Sequence, residues 1–237
     1  MSALAVMLGR ASLLAVLLAA RASATPAGDL ERGSTQPPTP EVSPKEDSPR
    51  PPRVEPSWRF EGAAYLYFIP ESSDYVQPTL RADHRLLHLE ARYSYEDLRT
   101  GSAWLGLNTG GGDQLWWEFT PMLGGVFGRT NGLAPGYEGA LGWWKLELYS
   151  EGEYLFDFAS AADSYFFNWS EFTLAPAEWF RFGLMAQRTR LFSSGRVLER
   201  GLLAGFSWDA VYLTLHLLNP DDAKPMLIFA LGGSFER

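Results

Sequence analysis

The sequence contains no cysteine. That excludes a disulfide scaffold and thiolate metal sites. It also excludes a lipid-anchored export precursor, which needs a cysteine at its cleavage site. Positive charge is in short supply: 20 Lys and Arg stand against 28 Asp and Glu, a formal charge of −8. This argues against a nucleic-acid partner. No apolar run reaches the roughly 20 residues that a membrane-spanning helix needs. Catalytic signatures are missing too. "GFSWD" around Ser207 lacks the second glycine of a nucleophile elbow, and no phosphate loop or zinc pattern occurs. We therefore expect no catalytic residue, no metal and no cofactor.

What is present begins with a leader. "MSALAVMLGRASLLAVLLAARASA" has a weakly basic front at Arg10, an apolar run over Leu13–Ala20 and the small-residue site Ala22-Ser23-Ala24. Residues 1–24 fit a secretory signal peptide cleaved near Ala24. A membrane anchor is the competing reading, but the apolar run is about half the spanning length. Residues 25–56 are rich in Pro, Ser, Glu and Arg, as in "STQPPTPEVSPKEDSPRPPRVEPS". Such a composition has almost nothing to bury, which predicts an extended, disordered linker. A proline-rich docking peptide is the sharper alternative.

From residue 57 to 237 the pattern changes. Period-two runs recur at short spacing, separated by turn-forming residues. They predict twelve strands, near 58–68, 75–82, 86–96, 101–108, 113–127, 137–149, 151–159, 164–175, 178–190, 197–208, 209–218 and 225–235. No helix-period segment of useful length interrupts them.

Each run splits by parity, because a strand sends successive side chains to opposite faces. In "LLHLEARYSYED", Leu87, Leu89, Ala91, Tyr93 and Tyr95 oppose His88, Glu90, Arg92, Ser94 and Glu96. Leu115, Trp117, Phe119 and Leu123 oppose Glu118 and Thr120; Phe180, Phe182 and Leu184 oppose Arg181 and Gln187. A soluble barrel would bury the apolar face and hydrate the charged one. The inverse is favoured by three features. The apolar face is too bulky and aromatic to fill a small barrel, the leader indicates export, and the connections alternate in length. "ADHR", "NTGGGDQ", "YSEG", "APAE" and "SWDA" fall on one side, and longer segments such as "FGRTNGLAPG" on the other. Transmembrane β-barrels have short periplasmic turns and longer outer loops. Trp58, Trp117, Trp144, Trp179 and Trp208 all fall near the periplasmic ends, as an aromatic girdle at a lipid interface requires.

The ending "MLIFALGGSFER" places Leu227, Phe229, Leu231 and Phe235 on one face. Here the chain resembles bacterial outer-membrane β-barrel proteins, whose last strand alternates and ends in an aromatic. Glu236 and Arg237 after Phe235 depart from that pattern. The resemblance implies a closed antiparallel up-and-down transmembrane β-barrel in the outer membrane. Its partners would be outer-membrane lipid and the insertion machinery.

Arg59, Glu61, Arg81, Glu90, Arg92, Glu118, Lys145, Glu147, Glu153 and Arg181 then point inward. With both signs in similar number, they predict an ion-pair layer in the lumen. Gly183, Gly201, Gly205, Ala230 and Gly232 leave space beside the last strands, for water or for Tyr65, Tyr67, Trp143 and Tyr149. His88 and Glu90 share a face about 7 Å apart, an arrangement expected to be only hydrogen-bonded. The eighth run, "YFFNWSEFTLA", does not divide by parity, which suggests a bulge or a protomer contact. The expected role is a porin-like or structural barrel without enzymatic activity, a narrow pore for small polar solutes if the lumen is open. A lipid-modifying outer-membrane enzyme and a soluble periplasmic barrel binding an apolar ligand are the alternatives.

Overall fold

A computed structural model describes residues 57–191 and 195–237. The leader and linker lie outside the described residues. The strands are β1 (Arg59–Phe68), β2 (Tyr75–His84), β3 (Leu87–Tyr93), β4 (Thr100–Leu107), β5 (Thr109–Gly112), β6 (Leu115–Gly128) and β7 (Gly132–Trp143). They continue as β8 (Leu146–Asp157), β9 (Tyr165–Ala177), β10 (Phe180–Leu191), β11 (Gly195–Trp208), β12 (Val211–Leu218) and β13 (Met226–Glu236). One 3₁₀ turn, Ala161–Asp163, is the sole helical piece among the described residues.

Each strand pairs antiparallel with its sequence neighbours, and β1 pairs with β13, which closes the sheet. The barrel has twelve staves because β4 and β5 are one stave with an interruption. Both pair with β6 in a single unbroken register, Gly106 with Met122 and Thr109 with Phe119. The gap falls opposite Pro121, which has no N–H to give to the ladder. At the seam, Trp58 and Arg237 exchange two backbone hydrogen bonds of 2.9 Å. The two residues beyond Phe235 thus extend the closing ladder.

The polarity is inverted relative to a soluble barrel. Phe119, Phe182, Leu184, Leu213 and Leu231 face outward and are exposed, while Arg81, Glu90, Arg92 and Glu153 are buried within. An apolar belt of this extent is stable only against hydrocarbon. Strands can cross hydrocarbon only when every backbone polar group is paired, which closure achieves.

One end of the barrel carries two-residue turns: Arg85–Leu86, Asp113–Gln114, Trp144–Lys145, Glu178–Trp179 and Asp209–Ala210. Arg85, Trp144 and Asp209 take left-handed backbone conformations there, at φ of 55°, 56° and 50°. The described connections at the other end run from three residues (Arg129–Asn131) to seven (Phe158–Ser164). The asymmetry is sharper than the sequence suggests.

Four boundaries differ from expectation. Thr109–Gly112 of "NTGGGDQ" is strand β5, and of "FGRTNGLAPG" only Arg129–Asn131 is a connection, the rest continuing β6 and β7. "YSEG" is no turn; it lies within β8, and the reversal comes at Trp144–Lys145. Gly152 serves packing instead, since a Cβ there would sit 2.8 Å from Cε1 of Tyr137. The third strand stops at Tyr93, and left-handed Ser94 (φ 55°) rotates the chain. Tyr95 therefore turns inward and is buried, against the alternation of its neighbours.

The eighth run does divide by parity once β9 is seen. Asn168 and Ser170 face outward and join Tyr137 and Ser150 in a hydrogen-bonded cluster with separations of 3.1–3.3 Å. Polar residues on the outward face obscured the pattern. The register shift in this region is at Phe180/Phe182, on β10.

Candidate functional site

The functional surface of such a barrel is its interior, and here the interior is layered. Among the described residues, the turn end is a vestibule of half-buried charges: Arg59, Glu61, Glu118, Glu147 and Arg181. Arg59 Nη2 lies 3.5 Å from Asp83 Oδ2. Asn108 donates to Asp83 at 2.7 Å, and Tyr212 donates to Glu61 at 2.9 Å.

Above the vestibule the lumen is packed. Arg92 Nε and Nη2 donate to the two oxygens of Glu90 at 2.8 and 3.1 Å, and Nη1 donates to Glu153 at 3.2 Å. Its guanidinium also lies over the rings of Tyr95 (4.2 Å) and Trp104 (4.5 Å). Arg81 reaches across to Glu138 on β7. His88 sits between Asp83 (Nδ1, 2.8 Å) and Glu90 (Nε2, 3.4 Å). A fully desolvated carboxylate or guanidinium is tolerable only with such partners. Trp104 fits because β6 and β7 offer no side chain against it: a Cβ on Gly124 would lie 2.5 Å from the indole.

A second centre forms on Glu171. It accepts from Trp169 Nε1 at 3.0 Å and from Arg181 Nη1 at 3.4 Å, with His216 Nε2 3.0 Å away. Glu151 accepts from Tyr95 (2.6 Å) and Tyr149 (2.8 Å). Trp169 and Phe167 are completely buried among these groups.

The β3–β4 loop, Ser94–Arg99, caps this layer from the loop end. Tyr95, Glu96 and Asp97 are all buried. Ser102 donates to the Glu96 carboxylate, Tyr165 to the Glu96 carbonyl at 3.0 Å, and Thr130 to Asp97 at 2.9 Å. Burial pushes the Glu96 carboxyl above its ordinary value, opposed by Arg92 and the Ser102 hydrogen bond.

The structure joins Arg81, Glu90, Arg92 and Glu153 in one network, and it places Arg59, Glu61, Glu118, Glu147 and Arg181 nearer the turn end. Lys145 does not belong to the lumen. It occupies the Trp144–Lys145 turn and donates to the Pro176 carbonyl at 2.8 Å. The sequence reading missed Asp83, Glu138, Glu151 and Glu171. Glu138 and Glu151 were lost with the misplaced turn, which reversed parity in β7 and removed Glu151 from β8. Among the described residues, with Lys145 out and those four in, inward carboxyl groups outnumber inward guanidinium groups. The expected balance of signs is therefore wrong, and the lumen is acidic.

Of the five tryptophans expected at the girdle, Trp144 and Trp179 lie in two-residue turns, Trp208 adjoins one, Trp117 is the third residue of β6, and Trp58 precedes β1 at the seam. Trp117, Trp144, Trp179 and Trp208 are exposed on the outer wall. Trp143 also faces outward and does not fill the lumen. The space beside inward glycines is taken by other side chains. The Tyr212 ring covers Gly232, and Arg181 lies across Gly205.

No protein-family profile and no curated protein matches the sequence. Solved structures do match in shape. A KdgM porin aligns with a TM-score of 0.54 at 9% identity, over 74% of this chain and 99% of its own. The KdgM porin in complex with disordered oligogalacturonate aligns at 0.53 and 9%, over 75% and 99%. The outer membrane protein Omp33 of Acinetobacter baumannii aligns at 0.44 and 10% identity, over 77% and 100%. At such identities the first two alignments speak for the fold alone: this chain is a closed twelve-stave antiparallel β-barrel.

Proposed function

We propose that the chain is an outer-membrane channel of porin type, narrow and cation-preferring, passing water and small polar solutes without enzymatic action. The two-residue turns then face the periplasm and the longer loops the exterior. One observation carries the reading: an apolar wall encloses a lumen in which carboxyl groups outnumber guanidinium groups. An acidic passage with low-dielectric walls concentrates cations and repels anions. The vestibule charges are half-exposed. The layer of Arg92, Trp104, Glu153 and Trp169 sets the constriction. Porins with sixteen or more strands keep an open channel, whereas barrels of eight are filled by side chains. Twelve staves fall between these, which supports a small bore.

A second reading, a purely structural barrel, is favoured by the near-complete burial of the constriction residues. Planar-bilayer recording of the purified chain separates the two. Steady low-conductance steps with a reversal potential displaced toward the cation in a KCl gradient support the channel. Absence of steps at all voltages, with the protein shown folded in the bilayer, overturns it.

A further inference from the structure

The outer wall is studded with large side chains, and a recess opens in it across β8–β11. There Ser170 and Ala186 are direct cross-strand partners between larger neighbours. The result is a groove of about 490 Å³, bounded by Leu148, Phe172, Leu184, Leu202, Arg200 and Pro220. Its body is apolar. Ser170 is satisfied by Ser150 and Asn168, so the groove wall makes no demand for a polar partner.

The rim is different. Arg200 faces outward where β12 ends, tied to the β12–β13 loop through Asn219, which donates to its carbonyl at 2.6 Å. Its guanidinium meets Asp221 at 2.5 Å, and both side chains are more than half exposed. Exposed pairs of this kind are weak and open to exchange. Arg188 stands on the same outward face, two residues beyond Ala186, and its Nε is buried without an acceptor. A cation on the lipid-facing wall is costly at mid-bilayer and tolerated near the interface. An anion at that level answers both arginines.

We infer that this groove binds a phosphate-bearing lipid of the outer leaflet, with one acyl chain along Leu184, Ala186 and Leu202 and the phosphate at Arg200 and Arg188. Guanidinium and phosphate pair through charge-assisted bidentate hydrogen bonds. An apolar groove of about 490 Å³ suits an acyl tail. This site is independent of whether the lumen conducts.

Native mass spectrometry of the folded full chain in detergent tests it. The probes are dipalmitoyl phosphatidic acid, dipalmitoylglycerol (the same chains without phosphate) and inorganic phosphate alone. One phosphatidic acid should be retained, about tenfold in preference to the diacylglycerol, with no retention of inorganic phosphate. Arg200→Gln should erase the preference, and Ala186→Trp should erase retention of both lipids. Heat-dependent gel migration verifies folding, and Leu202→Trp fills the groove from the neighbouring strand if Ala186→Trp fails that check. Equal retention of the two lipids overturns the inference. So does unchanged retention in a folded groove-filling variant, or a dimer that these variants dissociate while no lipid is held.

Discussion

Arg92 offers the most direct test of how dry the lumen is. Its side chain is buried and makes three charge-assisted hydrogen bonds, two to Glu90 and one to Glu153. Arg92→Met keeps much of the volume and removes the charge. Glu153 then loses its ion-pair partner, Glu90 is left with Arg81 at 3.8 Å and His88 at 3.4 Å, and Tyr95 and Trp104 lose the cation above them. Breaking a buried pair from one side costs about 3–5 kcal/mol. That lowers the folding constant by roughly two to three and a half orders of magnitude. An exposed, hydrated pair would cost no more than about 1 kcal/mol. The assay is urea titration of the chain folded into lipid vesicles, followed by tryptophan fluorescence. Glu153→Met in the Arg92→Met background should recover part of the loss, because one orphaned charge is gone. A loss under about 1 kcal/mol for Arg92→Met would refute the desolvated ion pairing of Arg92 with Glu90 and Glu153.

Other expectations follow from the same geometry. Leu89 faces outward on β3 between Ala82 and Leu105, so Leu89→Arg should impair assembly by about 2–4 kcal/mol; normal yield of heat-modifiable barrel contradicts the wall assignment. Glu118→Gln with Glu147→Gln removes two vestibule carboxylates and should shift the reversal potential toward anions in bilayer recordings, with folding stability little changed. Glu96 has a carboxyl held up by burial. Its folded state binds the proton more tightly than the unfolded state, so its contribution is present below the ordinary glutamate range and is lost as pH rises through the raised value. Protease nicking of the Ser94–Arg99 loop should therefore increase across that window in the wild type, and Glu96→Gln should abolish the dependence.

The alternation carried the architecture. Leu89 against Glu90, Phe119 against Glu118 and Phe182 against Arg181 are enough to define two faces, since strand geometry leaves each side chain only two directions. The aromatic bulk of the outward face then indicates lipid. The number of staves was also legible, because turn-forming residues recur between runs. The interior was read less well. Ser150-Glu151-Gly152 has the composition of a turn, yet Gly152 is there to admit the Tyr137 ring, a contact made only when β7 and β8 are paired. Losing that register reversed Glu138 and removed Glu151. Asn168 and Ser170 concealed the parity of β9, because their hydrogen-bond partners come from two other strands.

The sequence by itself determined the class of structure: strands, their approximate number and an inverted polarity. Those properties are local, each set by a few successive side chains and the period of two. Only the tertiary structure decided that the lumen is acidic, that Arg81 and Arg92 reach carboxylates some five dozen residues away, and that Tyr95 folds inward as a cap. Such contacts depend on which strands face one another across the barrel. That is fixed by closure and register, and the pattern of a single strand does not contain it.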